Sequence, residues 1–296
     1  MSHAHLDHMH SPSKDEKVIA SAATTDLAGV RGYDLRDAVE ELEGVDLLDS
    51  GHILGSRALR VGDELFYTGD ASGRERAFLG KCKTRAARVL VMETTYGTPR
   101  YTFPPTAALV KQVNELIGAT FDKGRPVVLM GYPLGKAQLL CYFFASWSPM
   151  FVHEEIARFN EVHRRHGVAL RAAHHFDPSQ GLDSLPRGPW VMISPMRSGR
   201  NRLMAALKKQ RGAILVAFSG WALGGGYSRA LGVDYAFPLS DHCDYQELVR
   251  LVEEVSPEMI YTTHGFAQEF ARDLRRMGFS ARTISGYQSS LFDYVE

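Results

Sequence analysis

The run His3-Ala-His5-Leu-Asp7-His8 constrains this chain more than any other feature, because four side chains with metal-ligand heteroatoms fall within six residues. An extended segment puts His3, His5 and Asp7 on one face, and a turn at its end can carry Asp7 and His8 toward a second ion. Imidazole suits zinc, and a carboxylate can bridge two ions or complete a shell. Alone, such a run reads equally well as an affinity tag or a histidine-rich tail. It does not stand alone: His52 (Ser50-Gly-His-Ile-Leu-Gly55), Asp70 (Tyr67-Thr-Gly-Asp70), His242 (Leu239-Ser-Asp-His-Cys-Asp244) and His264 (Thr262-Thr-His-Gly265) each sit at the exit of an expected strand. Any one of these is more often a solvated or hydrogen-bonded loop residue than a ligand. Six histidines and two aspartates at loop tips are hard to explain as packing.

A length of 296 residues, 45% of them hydrophobic, allows one large domain or one domain carrying an insertion. Lys plus Arg equals Asp plus Glu at 34 each, so any basic surface must be local. Cys82, Cys141 and Cys243 form no C-x-x-C pair, which argues against a disulfide framework and a thiolate zinc site. The longest apolar runs, such as Leu139 to Trp147, are too short to cross a bilayer, and no signal segment opens the chain. A cytoplasmic protein with no membrane partner is the expectation.

Periodicity predicts a short strand at Val18 to Ala22, a helix at Asp34 to Leu42, a hairpin at Leu59 to Thr68, and a strand at Arg88 to Glu93. From Thr106 the pattern alternates between helix and strand through Gln210, predicting a small parallel α/β unit. After Gly212 strands and helices continue to Ile284. The economical arrangement is a sandwich-like domain built from both ends of the chain, with the middle inserted as a cap.

Glu93, in Glu93-Thr-Thr-Tyr-Gly97, ends a buried strand and could orient a histidine by accepting its ring N–H, or could be a plain strand-terminal carboxylate. Gly131-Tyr-Pro-Leu-Gly-Lys-Ala-Gln138 reads as a strand-to-helix turn, where a helix N-terminus with Lys136 beside it can bind phosphate. An ordinary turn with an exposed lysine fits as well. Arg197, Arg200 and Arg202, followed by Lys208, Lys209 and Arg211, supply local basic density.

With these residues in order, the chain resembles the metallo-β-lactamase superfamily, specifically its β-CASP nucleases. The His3–His8 run, Gly51-His-Ile-Leu-Gly55 and Thr68-Gly-Asp70 match the family's metal motifs; Glu93–Gly97, Ser240–Asp244 and Thr263-His-Gly265 match the three β-CASP motifs. The resemblance implies an α/β fold: an αββα sandwich at 1–97 and 213–296, short of its first strands, with a β-CASP cap at 98–212. It also implies two zinc ions per chain, with His3, His5 and His52 on one, Asp7, His8 and His264 on the other, Asp70 between them, and a hydroxide shared by both. Asp7, His242 and Glu93 would then be catalytic, with His242 donating a proton or stabilising the transition state and Glu93 fixing its tautomer. Gly135, Lys136, Gln138, Arg197 and Arg200 would bind substrate. Glu93 and His264 resemble the RNA-cleaving branch, making RNA the expected substrate ahead of single-stranded DNA. Tyr132–Gln138, Asn160–Gly167 and Ser219-Gly-Trp221 are similar to exonucleases associated with DNA ligase. A catalytically impaired nucleic-acid-binding subunit is a further alternative, and the resemblance leaves room for a homodimer.

Overall fold

In the computed structural model, which describes residues 1–13 and 15–284, the chain divides into two units. One is built from Met1–Thr102 and the segment that begins at Asp241, the other from Phe103–Ser240. Residues 285–296, assigned to the first unit from sequence, lie outside the described residues.

The first unit begins with helix α1 (Ala22–Val30), whose N-cap Ser21 accepts from the Thr24 N–H at 3.1 Å. Strands β1 (Val45–Asp49), β2 (Arg57–Val61), β3 (Leu65–Tyr67) and β4 (Val89–Glu93) follow. The second unit contributes α2 (Thr106–Phe121), β5 (Val127–Gly131), α3 (Lys136–Phe143), β6 (Met150–His153), α4 (Glu154–Arg165), β7 (His174–Phe176), β8 (Val191–Pro195), α5 (Arg202–Arg211), β9 (Ile214–Phe218), α6 (Tyr227–Leu231) and β10 (Tyr235–Phe237). The chain then returns to the first unit with α7 (Tyr245–Val255), β11 (Met259–Thr263), α8 (Ala267–Arg276) and β12 (Ala281–Thr283).

Strand alternation decides how the first unit packs. Ala58, Phe66, Leu90, Met92 and Ile260 point to one face and are fully buried against Leu248, Leu251, Val252 and Val255 of α7 and Phe270, Ala271 and Leu274 of α8. The sheet order is β1-β2-β3-β4-β11-β12. The first two pairings are antiparallel and the rest are parallel. Hence β1, β3, β4 and β11 all run the same way, and their C-terminal ends reach one edge of the sheet. Among the described residues this unit holds one sheet.

The second unit has a six-stranded sheet of order β10-β9-β5-β8-β6-β7, parallel throughout. Its central strands β5 and β8 are buried at every position, as parallel strands covered on both faces must be.

The expected boundaries at 98 and 213 shift accordingly. β9 pairs with β5 (Val127↔Ile214) and β10 with β9, so the chain leaves the inserted unit at Asp241 instead of 213. At the other end, Tyr101 stays with the first unit, its carbonyl accepting the Tyr245 N–H at 3.0 Å. The helix expected over 34–42 is also absent: Val39 forms a parallel bridge with Ile19, and the carboxylate of Asp34 binds Arg36. The nearby helix is α1, where Ser21 supplies the cap. Among the described residues no helix is long and apolar enough to cross a membrane.

Candidate metal centre

The shared edge of the first sheet carries the ligand candidates. The turn after β1 brings His52, the turn after β3 brings Asp70, β4 ends on Glu93, and His264 follows β11. Register places Glu93 directly opposite Thr263, so the β4 and β11 loops start side by side. The N-terminal segment enters the same edge as a single 3-10 turn at Leu6–His8, and Arg57 donates its N–H to the Ser2 carbonyl at 2.8 Å.

His3, His5, His52 and Asp70 each offer one ligand atom, and these atoms lie within 4.8 Å of one another. His3 Nε2 and His52 Nε2 stand 3.4 and 3.6 Å from Asp70 Oδ2, and His52 Nε2 is 3.0 Å from His5 Nδ1. His8 Nε2 approaches the other carboxylate oxygen, Asp70 Oδ1, at 3.4 Å. The remaining members of the expected second set are more open. Asp7 Oδ2 is 3.8 Å from His8 Nε2 with its side chain half exposed, and the His264 ring stacks on His8 at 5.7 Å between centroids.

The hydrogen bonds decide tautomers. His52 Nδ1 lies 2.9 Å from the Asp241 carbonyl, which can only accept, so Nδ1 carries the proton. Burial, reinforced by His242, holds the His52 pKa well below its ordinary value, so the ring is neutral and Nε2 presents a lone pair to the cluster. Burial also lowers the pKa of His3, more than Asp70 raises it, and His3 Nε2 is buried without a hydrogen-bond partner. For Asp70 burial acts upward, but His8, His3 and His242 outweigh it and hold the carboxyl well below the usual carboxylate range. Two neutral imidazoles, one with an orphaned buried nitrogen, around an ionised carboxylate form a donor set suited to a divalent cation.

His242 is the exception among these rings. Burial would lower its pKa, yet Glu93 and Asp70 raise it to about 9. Its Nδ1 sits 3.0 Å from Glu93 Oε1 and 4.0 Å from Asp70 Oδ2. Glu93 is itself fixed, accepting from the Thr95 N–H at 2.8 Å and the Ala71 N–H at 3.4 Å.

The residues expected to bind substrate lie in the second unit, and two of them are used otherwise. Lys136 is buried and its Nζ donates to the Leu239 carbonyl at 2.9 Å, so it is not the exposed lysine that an ordinary turn would carry. Its stem runs past Gly131, where an added Cβ would come within 2.7 Å of Lys136 Cγ. Gln138 is buried as well, accepting from the Gly135 N–H at 2.7 Å and donating to Asn160 and Pro133, which closes the N-terminus of α3. Gly135 supplies the positive φ of that turn. Arg197 pairs with Glu155 at 3.3 Å, and Arg200 is exposed.

Two further residues support the site without a motif of their own: Asp241, whose carbonyl sets the His52 tautomer, and Arg76, which is buried and donates to the Gly51 carbonyl at 2.5 Å. Asp241 had a signal in its place beside His242. Arg76 had none, because a lone arginine in a polar loop reads as solvated.

Histidines and carboxylates gathered at the C-terminal edge of a mixed sheet form a candidate metal centre. No family model matches the chain. A probable DNA ligase from Opitutus terrae is 37% identical over 96% of this chain, which spans 28% of that protein. An RNase J-like protein from Methanocaldococcus jannaschii is 28% identical over 47% of the chain and 41% of its own length. Endoribonuclease YSH1 of Candida albicans is 23% identical over 76% of the chain and 32% of its own length. The chain thus spans between 28% and 41% of the length of these relatives. A crystal structure of a protein of unknown function from Enterococcus faecalis shares the fold, with a TM-score of 0.62 at 14% identity, covering 98% of this chain and 79% of that one. In sequence the chain is similar to nucleases of the metallo-β-lactamase superfamily. That family binds divalent metal.

Proposed function

We propose that this chain hydrolyses phosphodiester bonds of nucleic acid at a two-zinc centre. The observation that carries the reading is the convergence of His3, His5, His52 and Asp70 within 4.8 Å, from three separate stretches of which two leave one sheet edge. His3, His5 and His52 would hold one cation, Asp7, His8 and His264 the other, with Asp70 shared. When bound, paired cations supply Lewis-acid activation of water and neutralise charge on the phosphodiester. The protein's own part is derived from its hydrogen bonds. Asp241 keeps His52 Nε2 bare, and Asp70 stays ionised among the imidazoles. His242, bonded to Glu93 through Nδ1, retains its Nε2–H and can give that proton to the departing oxygen.

Glu93 and His264 favour RNA, and relatives named as RNase J-like and YSH1 endoribonuclease agree with that choice. A second reading, a DNA exonuclease acting beside a ligase, is favoured by a specific observation: the likeness that covers nearly the whole chain is to a probable DNA ligase. By identity and extent this is the stronger likeness. Zinc-loaded protein incubated with labelled RNA and single-stranded DNA of one sequence, beside Asp70→Ala and His242→Ala, tests both readings. Faster cleavage of one strand assigns the substrate. Equal turnover by all three proteins would defeat the proposal.

A further inference from the structure

Seven residues beyond Glu93, Arg100 is exposed, and among the described residues it has no carboxylate within ion-pair distance. Its guanidinium carbon lies 4.9 Å from the centroid of the Tyr101 ring and 5.0 Å from that of Phe266. These two rings are 5.6 Å apart and form one platform beneath the cation. Two aromatic faces restrain the planar group and attract its charge, and its N–H groups remain donors for an acceptor.

The platform is tied to the metal-centre loops. Phe266 follows His264 by two residues, its N–H donates to the Thr94 carbonyl at 2.9 Å, and Thr94 Oγ1 donates to the His264 carbonyl at 2.7 Å. Tyr101 accepts the N–H of Tyr245, three residues after His242. Its ring lies 4.9 Å from Tyr96, and the Tyr96 ring lies 6.0 Å from His242. Arg100 is therefore placed by the same loops that place His242, His264 and Glu93. A restrained cation without an acidic partner, fixed beside a centre for phosphodiester hydrolysis, matches the planar two-oxygen face of a phosphate.

We infer that Arg100, seated on Tyr101 and Phe266, binds a backbone phosphate of the substrate strand. This rests on the nuclease reading above, but it can be tested without turnover or metal. Full-length protein in EDTA would be titrated against fluorescein-labelled single-stranded DNA and RNA 12-mers at several KCl concentrations, read by anisotropy. Arg100→Gln should weaken binding on the order of tenfold and reduce the slope of log K against log[KCl] by about 0.7, the value of one single-strand phosphate contact. Arg100→Lys should keep the slope while losing part of the affinity. An unchanged slope in Arg100→Gln would overturn the assignment, as would the absence of any binding by the wild-type protein. Hydrolysis of bis(p-nitrophenyl) phosphate by the zinc-loaded wild type is scored separately. If that fails while the slope difference stands, the nuclease reading falls and the phosphate contact remains; the reverse pattern removes Arg100 alone.

Discussion

Arg74 joins the strand-exit loop of Asp70 to the helix that follows His242, and its removal has a calculable cost. Its Nη2 lies 2.6 Å from Asp244 Oδ2 and its Nε 2.7 Å from Glu247 Oε1. Both carboxylates are almost fully buried, at 5% and 3% side-chain exposure, while Arg74 is 22% exposed. Asp244 and Glu247 also form a capping box at the N-terminus of α7, each accepting the other's backbone N–H at 2.9 Å. Arg74→Met removes the cation hydrogen-bonded to two buried carboxylates, and breaking a buried pair costs about 3–5 kcal/mol. Because the box hydrogen bonds survive and Arg74 retains some water, the lower end, about 3 kcal/mol, is expected. All three tryptophans, Trp147, Trp190 and Trp221, belong to the second unit, so their fluorescence would not report this loss. Hydrogen exchange of the α7 peptide 245–255 would report it, and a loss of that size predicts roughly 100-fold faster exchange of its protected amides. Adding Glu247→Gln to Arg74→Met should recover part of the loss, because one uncompensated charge is gone. Exchange in Arg74→Met within threefold of wild type, or a double variant whose losses simply add, would refute the electrostatic argument.

Asp70→Asn keeps shape but removes the charge that His3, His8 and His52 surround, so zinc uptake measured by elemental analysis should fall from about two per chain to one or fewer. Gly265→Ala would bring a Cβ within 2.4 Å of Thr95 Cα at φ +54°, so a drop of at least about 2 kcal/mol is expected in thermal unfolding. In the second unit, burial lowers the pKa of His163 from 6.5 to about 4. The unfolded chain therefore takes up this proton first as pH falls: stability is full above about 6.5 and declines by about 3 kcal/mol until about pH 4. Urea unfolding followed by tryptophan fluorescence should show that decline, and His163→Gln should reduce it.

The legible part of this protein was its loop chemistry. His52, Asp70, Glu93, His242 and His264 each follow an apolar run whose end is marked by glycine or by a polar cluster, and a short β-rich run fixes where its exit lies whatever it pairs with. The pairing itself is not local. Ile214–Phe218 has the same apolar pattern whether it lies beside β5 or in the other sheet, so periodicity alone does not separate a return to the first unit at 213 from one at Asp241. The surroundings of Lys136 are non-local in the same way. A lysine at a helix start signals phosphate binding only if its ammonium stays in water, and nothing near position 136 reveals that the Leu239 carbonyl waits for it 103 residues later.

The same distinction explains why the ligand set tolerates being scattered across the chain. Direction in a sheet is inherited through pairing: β3, β4 and β11 are mutually parallel, and two antiparallel steps restore that direction in β1. Four exits must then share one edge, however far apart they stand in sequence. The cluster is thus a consequence of strand polarity, and hydrogen bonds between exits refine it. Asp241 orients His52, Glu93 holds His242, and Thr94 grips the backbone of His264. Each of these contacts links loops whose strands are already side by side or whose helix covers them, so the fold supplies proximity while the loop residues select the protonation states that a cation requires.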